Sequence, residues 1–202
     1  MKKFALLALL LTLSAVAGRA QESRQDVSVS GSVILEPFKS SSTEVKVSSK
    51  RGLGGLFSYR FMLTPRGAVE ANYGYSQNTI RYVSPNAQLG YQVNTRLQEV
   101  TAAYVYNFNF HKFNPFLEAG GGALLWGNIR NLATTSLDVK SQNTIVGLYG
   151  GGIAYEISPS FDIRAEYRGI FSKVPSFGGG PAFTTNRYYN INNPVIGVAY
   201  HF

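Results

Sequence analysis

Four consecutive same-face positions late in the chain are charged: Asp162, Arg164, Glu166 and Arg168. They alternate with Phe161, Ile163, Ala165 and Tyr167. A period of two belongs to a β-strand, whose successive side chains point to opposite faces. Charges of both signs on one face can pair into a buried ionic network, because an unpaired buried charge is costly. They can also line a gate for ions. Arg60, Glu70, Glu99 and Glu118 stand on the polar faces of their own alternating segments and are candidates for the same set.

Other chemistry finds little to work with. The chain has no cysteine, which excludes disulfides, thiolate metal sites, Cys nucleophiles and a lipid anchor on an N-terminal Cys. It has two histidines. His111 falls in a predicted short turn and His201 is the penultimate residue; neither belongs to a recognisable Ser/His/acid set. No His/Asp/Glu cluster has metal-ligand spacing. Gly120-Gly121-Gly122 and Gly150-Gly151-Gly152 open no helix and precede no Lys-Ser/Thr, so they are not phosphate loops. The simpler use of strand glycines is close packing. No catalytic site, metal or cofactor is expected.

The elements that must carry these residues are strands. In 53–63 one face reads Leu53, Gly55, Phe57, Tyr59, Phe61, Leu63. In 69–75 it reads Val69, Ala71, Tyr73, Tyr75, and in 161–171 it is wholly apolar or aromatic. Segments 27–35, 98–108, 116–126, 144–156 and 192–202 bring the count to eight. The facing of 144–156 is ambiguous, because its three glycines blur the pattern. Each segment is near the nine to eleven residues that a tilted membrane strand needs.

Connections alternate in length. Long ones run at 37–51, 77–95, 127–143 and 172–188, and short ones at 64–67, 109–114 and 157–160. That rhythm fits an up-and-down barrel with short turns at one end and long loops at the other. A Greek-key sandwich has no reason to keep it. Composition agrees: 15% of residues are charged, 13% are aromatic and 21 are glycine, against roughly 25% charged in ordinary soluble domains.

Residues 1–20 read as a cleaved secretory signal peptide. Lys2 and Lys3 give a positive start, 4–13 is apolar, and Ala15-Val16-Ala17 and Gly18-Arg19-Ala20 are small-x-small cleavage sites. Cleavage after Ala20 leaves 21–202 as the barrel domain. The competing reading, a single membrane anchor, lacks the roughly 20 apolar residues a spanning helix needs. No later apolar run is long enough either. A spanning structure must then be a closed barrel, which satisfies every backbone polar group inside lipid. The formal net charge is +8; without Lys2, Lys3 and Arg19 it is +5, from 16 basic and 11 acidic residues. That excess is dispersed, and no Lys/Arg-rich run argues for nucleic acid.

Two stretches resemble the OmpA/OmpX-like family of small outer-membrane barrels. Asn114-Pro115-Phe116-Leu117-Glu118-Ala119-Gly120-Gly121-Gly122 is similar to that family's Pro-aromatic-glycine strand. Val195-Ile196-Gly197-Val198-Ala199-Tyr200-His201-Phe202 is similar to the C-terminal signal by which barrels are recognised for assembly. Gly197, Tyr200 and Phe202 stand in the matching places, and Val195 replaces the usual polar residue. Residues 150–168 resemble the family's strand-turn-strand hairpin. The resemblance implies an all-β, eight-stranded antiparallel up-and-down transmembrane β-barrel in the bacterial outer membrane. It also implies recognition by the barrel assembly machinery. No peptidoglycan-binding domain is expected after Phe202.

In such a barrel Tyr59, Tyr73, Tyr104, Tyr106, Phe161, Tyr167 and Phe171 face lipid and form an aromatic girdle; in a soluble sandwich they are core. Arg60, Glu70, Glu99, Glu118, Arg164, Glu166 and Arg168 form a lumenal ion-pair network that plugs a narrow interior filled by side chains. The long connections carry Lys39, Lys46, Lys50, Arg51, Arg81, Arg130, Lys140, Lys173 and Arg187, with Tyr82, Phe177, Phe183 and Tyr188. They either meet lipopolysaccharide phosphates or a host or phage surface, or are plainly solvated. The expected function is a non-catalytic outer-membrane barrel, embedded in outer-membrane lipid, with an envelope-structural or surface-interaction role. The alternatives are a small porin-like channel and a secreted soluble β-barrel ligand binder.

Overall fold

The computed structural model describes residues 24–35, 46–49, 52–84, 89–133, 141–175 and 187–202. The strands are β1 (Gln25–Ile34), β2 (Lys46–Ser49), β3 (Gly52–Met62), β4 (Gly67–Ser84), β5 (Leu89–Asn107), β6 (Phe113–Ala133), β7 (Gln142–Ser158), β8 (Phe161–Lys173) and β9 (Tyr188–His201). All pairings are antiparallel, and pairing of β4 with β5 closes the sheet. Strand β2 is not a ninth stave. It pairs with 80–83 of β4, beyond the stretch where β3 pairs with 68–77. The barrel therefore has eight strands.

The register fixes its geometry. Following paired residues around the wall gives Gln25, Phe61, Val69, Tyr104, Ala119, Tyr149, Gly169, Asn192 and then Leu35. One circuit returns to the first strand displaced by ten residues, from 25 to 35. Such stagger goes with strands tilted by roughly 35–45° and, for eight strands, an interior that side chains fill.

Short turns gather at one end. At the first, the Gly67 amide donates to Thr64 Oγ1 at 2.8 Å, and the Leu63 amide donates to the Gly67 carbonyl at 2.9 Å. At the second, the Phe113 amide donates to the Phe110 carbonyl at 2.9 Å, with His111 at φ 46°. Left-handed backbone is several-fold enriched in histidine among non-glycine residues, as in asparagine and aspartate. The third turn is Pro159-Ser160.

The strands outrun their expected bounds. Much of the connection expected at 77–95 is strand, because β4 continues to Ser84 and β5 begins at Leu89. Likewise β6 continues to Ala133. Together with β2, these extensions raise a wall on one side of the barrel at the end opposite the short turns. The ambiguous seventh segment is settled as well. Thr144, Val146, Leu148 and Ala154 of β7 are buried, and Ile145, Tyr149, Ile153 and Tyr155 face out.

The outer surface is apolar all round. Ile145 is 88% exposed and Leu53 74%, and exposed Val29, Phe57, Val100, Leu117, Ile163 and Ile196 continue the belt. A monomeric soluble protein rarely exposes an apolar patch beyond a few hundred Å². A closed belt is stable where the surroundings are hydrocarbon.

Inside, the filling has two tiers. Charged side chains lie from the short-turn end to mid-height. Leu97, Leu124, Trp126, Ile170 and Ile191, all buried, occupy the half nearer the wall, interleaved with buried Ser76, Asn78, Thr95, Ser172 and Asn193. The inward faces of β6 and β8 turn from charged to apolar as they rise, at Leu124 and Ile170, while that of β4 stays polar to Asn78.

Candidate functional site

At the short-turn end, β1, β8 and β9 bring four groups together. Arg164 Nη1 and Nη2 lie 2.9 and 2.8 Å from the two carboxylate oxygens of Asp26. His201 Nε2 lies 2.7 Å from Asp162 Oδ2, and its Nδ1 is 3.9 Å from Asp26 Oδ2. Asp26 and His201 are direct partners in the β1–β9 ladder, and Asp162 and Arg164 share one face of β8. The cluster spans the seam where the last strand meets the first.

On the next strand Arg60 of β3, the ladder partner of Asp26, donates from Nε to Glu70 Oε2 at 2.7 Å, and its Nη2 lies 2.6 Å from the same oxygen. Arg60 and Glu70 are cross-strand partners. The guanidinium also lies 4.7 Å from the centroid of the Phe116 ring and 3.4 Å from Asn107 Oδ1. A planar cation can stack on an aromatic face while its edge binds a carboxylate.

The centre is Arg168, which is 0% exposed. Its Nη2 donates to Glu99 Oε1 at 2.8 Å and to Thr101 Oγ1 at 3.3 Å. Its Nε lies 3.3 Å from Glu118 Oε1 and 3.1 Å from Glu166 Oε1. One guanidinium thus serves three carboxyl groups from β5, β6 and β8. Neighbouring Gly150 leaves the room: a Cβ there would collide with Glu118 Oε1 and the Tyr167 carbonyl oxygen.

All seven charged residues singled out from the sequence point into the lumen and pair there, as three separate groupings around Arg60, Arg164 and Arg168. Sequence reading left out Asp26, Thr101, Asn107 and His201, and it named Asp162 on the charged face without placing it in the seven-residue network. The missed signal was modest. Asp26 continues the serine face of β1 one residue before the expected strand start, and Asp162 lies on the face already recognised as charged. His201 is joined to Asp162 only through the fold.

This arrangement plugs. Buried ions held by several partners need those partners, and removing one leaves an uncompensated charge. A cavity of about 10 Å³ remains between Ser32, Leu56, Ser76, Leu97, Glu99 and Asn193, room for about one water. Among the described residues, no group of three His, Asp or Glu is placed to hold a metal ion.

The outward aromatics divide by height. Tyr59, Tyr104, Tyr106 and Phe161 lie toward the short-turn rim, Phe171 toward the opposite end, and Tyr73 and Tyr167 between. Around the short-turn rim rings meet in pairs: Tyr106 with Phe108 at 5.0 Å, Phe113 with Tyr155 at 4.9 Å, and Phe161 with Tyr200 at 5.0 Å between centroids. Phe61, Phe108, Phe113 and Tyr155 of this ring were not singled out from the sequence. At the other end Tyr188 stacks on Phe171 at 5.2 Å.

The three residues of the C-terminal motif sit on the closing seam. Gly197 is packed so closely on Ser30 and Val29 of β1 that a Cβ would overlap them. The Tyr200 ring lies 6.1 Å from that of Phe202, and the Phe202 amide donates to the Gln25 carbonyl at 3.0 Å.

Of the basic residues expected in loops, Lys46, Arg81 and Arg130 belong to β2, β4 and β6, and Tyr82 to β4. Lys173 ends β8, and Arg187 precedes β9; both are exposed. Lys39, Lys50, Arg51, Lys140, Phe177 and Phe183 lie outside the described residues.

Known structures share this architecture. The chain is similar to Neisserial surface protein A at 18% identity, over 89% of this chain and 98% of that one, with a TM-score of 0.56. It is similar to the outer membrane protein OprG from Pseudomonas aeruginosa at 11% identity, over 91% and 98%, with a TM-score of 0.58. No curated protein matches it in sequence. The family model described as outer membrane protein beta-barrel domain matches residues 5–202. With a closed eight-stranded barrel, an unbroken apolar belt and that match, the chain belongs to the outer membrane protein beta-barrel domain family and is a bacterial outer-membrane protein.

Proposed function

We propose that this protein is a non-catalytic barrel that presents a surface for interaction outside the cell. The observation that carries the reading is the asymmetry of its ends. One end has three short turns and the two described termini. The other has the wall of β2, β4, β5 and β6 and the long connections. Outer-membrane barrels keep short turns in the periplasm and long loops outside. The filled lumen supports a structural body and argues against a porin-like channel. The apolar belt argues against a soluble ligand binder. Its partners are outer-membrane lipid and lipopolysaccharide around the belt, and the barrel assembly machinery during biogenesis, for which Gly197, Tyr200 and Phe202 form the signal. The lumenal ion pairs hold the body rigid, and the outward aromatics form the girdle at the lipid boundary.

The natural absence of cysteine allows a clean test. Gln92→Cys lies in the wall, on the β5 stretch paired with β4 and β6. A membrane-impermeant maleimide should label it on intact cells. Labelling only after the outer membrane is broken would sink the surface reading.

A further inference from the structure

The lumen holds more acid than base, and the excess lies in one place. Arg60 meets one carboxylate, Glu70, and Arg164 meets one, Asp26. Asp162 faces His201 at the rim. Arg168 faces three, Glu99, Glu118 and Glu166, each with a side chain at most 8% exposed. Three ionised carboxylates on one guanidinium leave two negative charges over. Every other cation whose side chain is described, Arg24, Arg66, Arg96, Lys112, Lys173 and Arg187, is exposed. Buried charge without a partner is costly, so this grouping calls for a further positive charge.

A cavity adjoins the excess. It is the space of about 10 Å³ lined by Ser32, Leu56, Gly74, Ser76, Leu97, Glu99 and Asn193. Ser32, Gly54, Ser76 and Leu97 stand on one rung of the wall, and Asn193 is the ladder partner of Arg168. Two glycines bring the polar atoms together. A Cβ at Gly54 would stand 2.7 Å from Ser76 Cβ and 2.9 Å from Ser32 Oγ, so both serines close over its bare backbone. A Cβ at Gly74 would stand 3.2 Å from Glu99 Oε2, so the carboxylate reaches over that glycine into the lining.

Two oxygens of the lining have no partner among the described residues. Ser76 is 3% exposed and Asn193 2%, and neither Ser76 Oγ nor Asn193 Oδ1 makes a hydrogen bond. Buried polar atoms are ordinarily satisfied. Glu99 Oε2 accepts from Arg168 Nη1 at 3.3 Å and, as a carboxylate oxygen, has capacity for a second partner. A water would satisfy these oxygens but adds no charge. A cation does both. Hard cations take oxygen ligands, but calcium gathers roughly six to eight of them and magnesium keeps several waters. A space for about one water admits neither arrangement.

We infer that this cavity binds a monovalent cation of sodium's size, on Ser76 Oγ, Asn193 Oδ1 and the Glu99 carboxylate, with Ser32 Oγ beside them. The ion is enclosed as the barrel folds and offsets part of the charge around Arg168. A ligand held only by the folded state raises the folding equilibrium constant as its concentration rises.

The test refolds the full-length protein in detergent micelles in chloride salts of sodium, potassium or N-methylglucamine at equal ionic strength. Urea unfolding is followed by the fluorescence of Trp126. Sodium should raise the folding constant at least about tenfold over N-methylglucamine, the factor for a ligand near ten times its Kd. Potassium, too large for the space of one water, should fall well short of sodium. The double variant Ser76→Ala/Asn193→Leu should lose the sodium dependence while keeping its heat-dependent mobility in SDS gels. If the double variant does not fold, Ser76→Ala alone should cut the sodium effect at least about threefold. Equal stability in all three salts overturns the site in favour of a water. A potassium effect equal to that of sodium, or a sodium effect unchanged in whichever variant folds, places the ion elsewhere and also overturns it. So does stability that ignores sodium and falls as pH rises, which puts the compensating charge on the carboxyl groups as protons.

Discussion

Arg168 is the residue on which most of the lumen depends. It holds Glu99, Glu118 and Glu166 from three strands, and among the described residues no other cation forms an ion pair with them. Arg168→Ala leaves three buried carboxyl groups without that partner, and breaking a buried pair costs about 3–5 kcal/mol. Urea unfolding in detergent should show the loss, with the single tryptophan, Trp126, as a buried fluorescence probe. Arg168→Lys should recover only part of it, because a point charge lacks the fork that reaches several carboxylates at once. Asp26→Ala should also destabilise, by about 3–5 kcal/mol, since it leaves the buried Arg164 without the carboxylate that both its terminal nitrogens meet. Unfolding midpoints that match wild type for Arg168→Ala would remove the buried network as a source of stability. The faces of these residues were legible because the two-residue period is a property of any strand. The pairings were not. Arg168 and Glu99 are 69 residues apart, and the ten-residue stagger of the closed barrel sets which rungs meet.

At the scale of elements, eight strands and three short turns were readable, and the wall was not. In 76–84 and 89–97 polar residues stand on both faces, as with Ser76, Gln77, Asn78 and Thr79, or Asn94, Thr95 and Arg96. A strand that leaves the hydrocarbon no longer has to separate apolar from polar, so its alternation fades while its hydrogen bonding continues. The wall is therefore an independent piece. Its pairings at 80–84 with 89–93 lie beyond those that close the barrel to β3. Replacing 80–93 with Asn-Gly, a two-residue hairpin turn, should preserve SDS-resistant folding and the heat-dependent gel shift. Loss of that shift would mean the extensions are part of the barrel's cooperative unit rather than a local one. The seam is the opposite case. Deleting Phe202 removes the ring beside Tyr200 and the hydrogen bond from its amide to the Gln25 carbonyl. It should lower the amount of barrel assembled in cells, and the same variant should still refold in detergent if the residue serves recognition more than stability.

The molecule as a whole is a plugged cylinder, and the two-tier filling decides how tightly. The apolar tier was hidden in the sequence because Leu97, Leu124, Trp126, Ile170 and Ile191 occupy the same faces as the charges below them. A face read as polar from its lower half stays inward all the way up, whatever its residues become. The consequence is a division of labour. The ionic tier cross-links strands that are far apart in sequence. The apolar tier above it keeps bulk water from those ion pairs, where exclusion of water strengthens them. An ion entering from the wall side would have to pass close-packed, uncharged side chains, Trp126, Leu97 and Leu124 among buried Asn78, Thr95 and Asn193, before meeting any charge. Wild-type protein in planar bilayers should therefore give no discrete conductance steps. Arg168→Ala alone should stay silent too, because it opens only the lower tier. Adding Leu124→Ala and Trp126→Ala should open both tiers and bring current. Steps from the wild-type barrel, selective for one sign of ion, would instead make the charged lumen a conduction path and return the channel reading to first place.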